Sequence, residues 1–474
     1  MNNDRDVFDV IVLGGGPAGE NAVDRVVRGG LSAALVESEL VGGECSYWAC
    51  VPSKALLSPV DLLGSVRRSP GASQAVTGTI DVDAVLAHRD WATGNQDDSG
   101  EVKWLDGLPA TLVRGHGRLD GPRTVEVSSH GSVRTIRARH AVVVATGSRA
   151  AVPPVPGLAE ARPWTSRDAT SLRAVPRRLA VLGGGVVGCE MSHAVRGLGA
   201  EEVTMLVRGP RLLERMEPFA GEMLASALDG HGVTVRTGIM VTNVTRNDAG
   251  PVTITLSDGG TIEADELLVA AGRRLNTDAI GLDSIGLPPG EPVAVDDSLR
   301  ANGVDGGWLY AIGDANGRNL LTHMGKYQAR VCGDVIVARA HGRADEGPAL
   351  RATSDALGAP QVVFTDPQLC SVGLTEQAAQ DRGHDVRAVE YEIGSVTGAY
   401  LQAEDYQGRA KAVVDESRRV LLGVTFVGPG VAELLHSATV AVTAQVPLER
   451  LWHAVPAFPT VSEVWLRLLE TYGL

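Results

Sequence analysis

The chain has 474 residues, enough for about three domains and several cores. Its 44% hydrophobic and 21% charged residues are the proportions of a globular protein. A net charge of −14 argues against nucleic acid or an anionic membrane surface as a partner.

The N-terminus runs into an apolar strand without the h-region of a signal peptide, and no apolar run reaches membrane-spanning length. Five cysteines make no disulfide framework, so the expected compartment is the reducing cytoplasm.

Phe8–Leu13 is a short apolar run that reads as a parallel strand. The sequence Gly14-Gly15-Gly16-Pro17-Ala18-Gly19 follows, then a helix over Glu20–Arg28 and a strand over Leu31–Val36 that ends at Glu37. This is the G-x-G-x-x-G fingerprint in its required setting, with an acid about 20 residues on. Gly14, Gly16 and Gly19 let backbone approach a pyrophosphate at the helix N-terminus, and Glu37 accepts from a ribose.

Next comes Gly42-Gly43-Glu44-Cys45-Ser46-Tyr47-Trp48-Ala49-Cys50-Val51-Pro52-Ser53-Lys54. In an ideal helix residues i and i+5 lie about 8–9 Å apart, so a bridge between these cysteines needs local distortion. Pro52 suits a first helical turn, where a nearby thiolate is acidified. Taken alone, the pair reads equally as a redox couple or as two buried structural cysteines. A zinc site lacks its other ligands, and no metal is expected.

Asp81–Leu119 reads as polar and helical, then hairpin-like. Ala141–Ala145 is a buried strand, followed by Thr146-Gly147-Ser148, and Pro153, Pro154 and Pro156 mark a crossover. A second copy of the unit begins at Arg178. Leu179–Leu182 is its strand, Gly183, Gly185 and Gly188 its fingerprint, Val203–Val207 its second strand, and Ala271-Gly272 echoes Thr146-Gly147. This duplication is the strongest indication of fold.

In the second unit the acid position is Val207, followed by Arg208 and Arg211. Arginines attract a 2′-phosphate, so NADPH is expected over NADH, which remains possible. The alternative is a solvated basic turn. From Gln361 the pattern turns antiparallel. A strand is expected over Val362–Pro367, a hairpin over Ala410–Asp415 and Val420–Val427, and helices from Val431 and Leu448.

The cysteine segment and both fingerprints resemble the flavin-dependent pyridine-nucleotide disulfide oxidoreductases, which include lipoamide dehydrogenase, glutathione reductase and mercuric reductase. The family pattern is Gly-Gly-Thr-Cys-x4-Cys-x-Pro-[Ser/Thr]-Lys. Here Glu44 replaces the threonine. The resemblance covers essentially the whole chain. It implies an α/β fold of two Rossmann-like domains plus an α+β dimerisation domain. The FAD domain is expected over 1–150 and 275–350, the NAD(P)H domain over 151–274 and the dimerisation domain over 351–474.

By resemblance, FAD binds the first unit and Asp314, in Tyr310-Ala311-Ile312-Gly313-Asp314, holds its ribityl chain. Cys45 and Cys50 form the redox-active disulfide, with Cys50 nearer the flavin and Cys45 exchanging with substrate. Lys54 lies beside the flavin, paired with Glu190. The helix opened by Leu321-Thr322-His323-Met324 also lies near the flavin.

The departure is at the C-terminus. The family's His-Pro-Thr-x-x-Glu supplies a general base across a homodimer. This chain has Phe458-Pro459-Thr460-Val461-Ser462-Glu463. The frame and Glu463 remain, Pro456 occupies the other histidine position, and a phenyl ring moves no proton. His453, five residues before Phe458, reads as a surface or interface residue. The mercuric reductase alternative, a C-terminal cysteine pair, is absent after Cys370.

The reading is an NADPH-dependent flavoenzyme acting on a small acceptor, a quinone or an unusual disulfide. Tyr47 and Trp48 pack, or present a flat surface to an aromatic acceptor. One alternative is a lipoamide dehydrogenase using NAD and another base. The other is a flavoprotein of little turnover with a binding role.

Overall fold

The computed structural model describes residues 6–248 and 250–474, and the chain divides into two compact units. The first comprises residues 1–52, 90–149 and 273–355. The second comprises 53–89, 150–272 and 356–474.

In the first unit, β1 (Val7–Leu13) lies between β2 (Ala33–Glu37) and a long strand, Ser132–Val144, both parallel to it. Val10, Ile11 and Val12 are fully buried, and so are Val142, Val143 and Val144. A parallel strand covered on both faces needs such an unbroken apolar run. Leu309–Ala311 pairs parallel to Val142–Val144, so a segment distant in sequence completes this sheet.

Helix α1 (Pro17–Arg28) packs along a long helix, Thr322–Ala340. Small residues permit the approach. A Cβ on Gly333 would fall 2.7 Å from Cβ of Arg25.

The segment expected to end as a hairpin differs. Ala110–Arg114 pairs parallel to β2 at one edge of the sheet. His116–Leu119 pairs antiparallel to Thr124–Ser129 at the other edge. The two short strands are adjacent in sequence but not partners. Gly115, at φ +144°, makes the turn between them, a conformation open to glycine.

The second unit repeats the pattern with a four-stranded parallel sheet. Its order is Val233–Thr237, Glu202–Val207, Arg178–Leu182, Glu266–Val269. An antiparallel three-stranded sheet and a five-stranded antiparallel sheet are also present. In the latter, Arg409–Asp415 and Val420–Gly428 form the expected hairpin. The strand expected over Val362–Pro367 is shorter. It spans Pro360–Val363, and the chain turns through Phe364–Pro367 before Gln368–Gly373. Phe364 and Asp366 use that turn for polar contacts, which removes them from the ladder.

Candidate functional site

The first fingerprint is built from contacts that only glycine allows. Gly14 has φ +104°, and a Cβ there would collide with the carbonyl of Ala145; one on Gly19 would collide with the carbonyl of Gly14. Gly16 is the N-cap of α1 and offers no capping side chain, and Pro17 follows. The first-turn N–H groups are thus left for an anion. Glu37 accepts from the Gly15 N–H at 2.6 Å and from the Glu39 N–H at 2.6 Å, so the strand-end acid also fastens the loop.

Beyond the sheet, Thr146 Oγ1 is buried without a hydrogen-bond partner among the described residues, and Gly147 has φ +68° with open space beside it. An unpaired buried hydroxyl next to an open glycine is a place for a polar ligand group. Asp314 accepts from Ser148 Oγ, which in turn receives Arg273 Nε at 2.6 Å. These residues fit a dinucleotide.

Gln328 carries no signal in the sequence. It is fully buried and accepts from the Gly313 N–H and Asn316 Nδ2, both at 2.8 Å, fixing the turn that carries Asp314.

The cysteine segment is tied to this cradle. The Gly42 N–H donates to the Gly15 carbonyl at 2.8 Å. Gly43, at φ +59°, lies so close that a Cβ would stand 2.6 Å from Cα of Gly16. The glycine pair therefore lets the thiol segment lie flat on the fingerprint loop, a role that spacing alone does not reveal.

Helix α2 (Gly43–Tyr47) ends at Trp48, and Cys50 opens α3 (Cys50–Arg68). This helix break is the local distortion that lets the cysteines meet. Both are free thiols, and Thr322 Oγ1 lies 3.3 Å from Cys50 Sγ. The neighbouring Cys50 and burial push the Cys45 thiol well above its ordinary range, while Thr322 and the Lys326 charge oppose the rise. Cys189, Cys332 and Cys370 are buried thiols elsewhere, each raised chiefly by burial.

Tyr47 is buried, with its hydroxyl donating to the Val41 carbonyl at 3.0 Å, so it packs rather than facing solvent. Nearby Glu20 is pushed up to about 7 by burial and by the Glu101 charge.

In the second unit Gly183 and Gly188 reproduce the collisions of Gly14 and Gly19, and the glycine N-cap is Gly185. The internal equivalence is direct. A Cβ on Gly15 would meet the Glu37 carboxylate at 3.0 Å, and one on Gly184 would meet Val207 Cγ1 at 2.8 Å. Val207 therefore stands where Glu37 stands in the first unit. Arg208, just past it, is exposed; Arg211 Nη2 donates to the Glu214 carbonyl at 2.9 Å, and its buried Nε has no partner among the described residues. The Glu214 carboxylate lies over Gly209, an acid the sequence reading did not weigh. Gly272, at φ +138°, borders open space.

Also in this unit, Lys54 Nζ lies 2.8 Å from Glu190 Oε2. The other Glu190 oxygen accepts from the Phe364 N–H at 2.9 Å, and the ammonium stands 4.8 Å from the centre of the Phe364 ring.

Near the C-terminus, Phe458 is 72% exposed, and His453 is exposed as well. Glu463 is buried, with Oε1 held by Arg467 Nη2 at 2.6 Å and Oε2 without a partner among the described residues. The described residues hold no group of three or more metal-ligating side chains suited to an ion. None of their helices is long and apolar enough to cross a membrane.

A paired dinucleotide scaffold with a dithiol on its first fingerprint defines a class of redox flavoprotein. The chain belongs to the pyridine nucleotide-disulphide oxidoreductase family, whose profile matches residues 8–342. The family's dimerisation domain matches residues 359–468. Members are enzymes that use FAD and NAD(P)H.

The chain is 30% identical to a dihydrolipoyl dehydrogenase of Chlamydia muridarum, over 97% of this chain and 96% of that one. It is 29% identical to a mercuric reductase of Staphylococcus aureus, over 98% and 82%. Among solved structures, the HOCl-induced flavoprotein disulfide reductase RclA of Escherichia coli superposes with a TM-score of 0.84. That match has 22% identity and covers 99% of each chain, and it shows a shared fold.

Proposed function

We propose that this oxidoreductase takes electrons from NADPH and delivers them through the Cys45–Cys50 pair to a small acceptor, a quinone or an unusual disulfide. The observation that carries the acceptor reading is the C-terminal pair of changes. Phe458 takes the base position, and the one engaged Glu463 oxygen is bound to Arg467.

Bound in the first cradle, FAD would supply the two-electron step between nicotinamide and thiols. Gly14, Gly16, Gly19 and Glu37 would hold its nucleotide half, with Thr146, Gly147 and Asp314 along its length. Gly183, Gly185, Gly188 and Gly272 would hold the nicotinamide dinucleotide, with Arg208 and Arg211 toward its 2′-phosphate. The Glu190 carboxylate and the Phe364 ring would hold the Lys54 ammonium in place.

The neighbouring Cys50 and burial push the Cys45 thiol up, so Cys45 keeps its proton longer. To attack a disulfide, Cys45 must lose that proton, and the departing thiol must gain one. A phenyl ring at 458 can do neither, so acceptors that need no proton relay are favoured. A general base typically contributes about 10²–10⁴-fold. The residues after about 350 would form the homodimer.

The test is an acceptor screen on the purified flavoenzyme with NADPH and NADH, run beside Cys45→Ser. Quinone turnover exceeding dihydrolipoamide and glutathione disulfide turnover supports the reading. Dihydrolipoamide oxidation with NAD at ordinary dehydrogenase rates overturns it.

A further inference from the structure

We propose that His193 is a positioning residue. Its hydrogen bond to Asp61 sets how α3 lies on the second fingerprint helix, and so holds Lys54 on Glu190. This rests on the reading of the Lys54–Glu190 pair as part of the electron-transfer site.

The geometry begins with spacing along α3, whose stretch from Lys54 to Arg68 belongs to the second unit. Lys54, Asp61 and Arg68 stand seven residues apart, so they share one face of the helix. Each meets its own partner. Lys54 Nζ lies 2.8 Å from Glu190 Oε2, Asp61 Oδ1 lies 3.1 Å from His193 Nε2, and Arg68 pairs with the Asp366 carboxylate. Against a carboxylate the ring nitrogen donates. Glu190 and His193 are three residues apart on the Val186–Gly197 helix, again on one face. Gly197, at the end of that helix, lets α3 close on it, because a Cβ there would collide with Val60.

His193 is itself held. It is 3% exposed, and the His231 ring packs edge-on against it with centres 5.3 Å apart. His231, just past the Pro218–Gly230 helix, donates from Nε2 to the Asp366 carbonyl at 3.0 Å. Asp366 lies in the Phe364–Pro367 turn, where the Phe364 N–H reaches the other Glu190 oxygen at 2.9 Å. Glu190 is thus approached from two sides. Asp61 and His193 fix the helix that brings Lys54, and His231 and Asp366 fix the turn that brings Phe364.

Among the contacts along α3, the Asp61–His193 bond tolerates least movement. Lysine and arginine reach their partners on long stems and follow a sliding helix. An aspartate and a ring on a single methylene cannot. Losing the acceptor would also strand a buried N–H, which enforces the contact. His193 therefore acts on Lys54 through α3 and Glu190.

The experiment uses the purified flavoenzyme. Acetic anhydride labels its lysines at neutral pH, and fragment mass spectrometry follows Lys54. Lys411, buried in the same unit on Glu217 and Glu376, is the control. In His193→Leu the Lys54 labelling rate should rise about fivefold, the upper worth of a partly exposed ion pair. His193→Gln returns an N–H near the place of Nε2 and should stay within about twofold of wild type. Asp61→Ala removes the same bond from its less buried side and should match His193→Leu. It guards against a misfolded His193 variant. In a Glu190→Gln background, His193→Leu should add nothing further, because the pair it positions is already gone.

Unchanged Lys54 labelling in His193→Leu and Asp61→Ala would overturn the proposal. So would a Gln variant that behaves like Leu, an equal rise at Lys411, or a further rise in the Glu190→Gln background. Labelling reads Lys54 without nicotinamide or acceptor. A Lys54 rise with flavin reduction by NADPH unchanged supports the role of His193 and instead removes the Lys54–Glu190 pair from the electron-transfer site.

Discussion

Gly43→Ala should separate the two demands that the thiol segment makes on its glycines. Gly43 has φ +59°, and its Cβ would stand 2.6 Å from Cα of Gly16. An alanine in left-handed backbone costs about 1–2 kcal/mol. Gly30, at φ +85° with nothing within 4 Å of a would-be Cβ, carries that backbone cost alone and is the control.

At position 43 the added carbon must also recover carbon–carbon separation of about 3.5–4.0 Å, which requires a shift of about 1 Å. Overpacking of that kind adds about 1–3 kcal/mol. Gly43→Ala should therefore lose roughly 2–5 kcal/mol in denaturant unfolding, and Gly30→Ala about 1–2 kcal/mol. The same 1 Å displacement carries Cys45 with it and opens the floor beneath Gly16. Flavin retention after gel filtration and the rate of flavin bleaching by NADPH should both fall in Gly43→Ala and hold in Gly30→Ala. Misplacement by about 1 Å can cost about 10²-fold in rate. Equal behaviour of the two variants would refute the claim that the glycine pair exists for contact with the fingerprint.

Glu20 titrates near 7 in the folded protein, well above its unfolded value, because burial and Glu101 disfavour its charge. The folded state therefore binds the extra proton between those values, and stability falls as pH rises from about 4.5 to 7. Glu20→Gln should abolish that slope and stabilise the protein at pH 8 by up to about 3 kcal/mol in denaturant titrations. An unchanged pH dependence would deny the burial. Arg208→Ala should raise the KM for NADPH by roughly tenfold, a loss of about 1.4 kcal/mol, and leave NADH unaffected. Equal losses with both nucleotides in steady-state assays would remove Arg208 from the 2′-phosphate. Phe458→His should raise glutathione disulfide turnover, and more so when combined with Arg467→Met, which releases the second Glu463 oxygen. No gain in either variant would show that the loop does not reach the thiols. Sedimentation at micromolar concentration should give a dimer, and an active monomer would contradict the role given to residues after about 350.

The parts of the fold written in local pattern were legible from sequence. Buried strands such as Val10–Leu13 show as unbroken apolar runs, and each glycine fingerprint sits between a strand and a helix because its backbone leaves no alternative. The hairpin of Arg409–Asp415 and Val420–Gly428 was visible through its short polar turn. What failed depended on distant partners. Ala110–Arg114 and His116–Leu119 are five and four residues long and pair with strands at opposite sheet edges, which no local signal encodes. Phe364 leaves its expected strand because its N–H goes to Glu190, 174 positions away. Gln328 looks like an ordinary helix residue until the helix is docked on its neighbours. Glu214 was overlooked because its carboxylate returns over Gly209 only in the folded turn.

The duplicated cradle explains how one scaffold can hold two different dinucleotides. In both units a strand-end side chain rests against the second glycine of the fingerprint, Glu37 on Gly15 and Val207 on Gly184. Backbone also closes both loops alike. The Gly42 N–H reaches the Gly15 carbonyl at 2.8 Å, and the Leu213 N–H reaches the Gly184 carbonyl at 2.9 Å. The fastening common to both loops is therefore backbone, and in the first unit Glu37 adds a side-chain fastening to it. On the proposed reading, the residue at the strand end selects the ligand. An acid there offers acceptors to ribose hydroxyls and repels a phosphate, whereas valine does neither and leaves the field to Arg208 and Arg211. In the first unit the segment that closes the loop continues into Cys45. In the second, the closing segment that ends at Leu213 is the one that carries both arginines. On the proposed reading, each copy thus places its distinguishing chemistry on the stretch of chain that its own fingerprint already holds still.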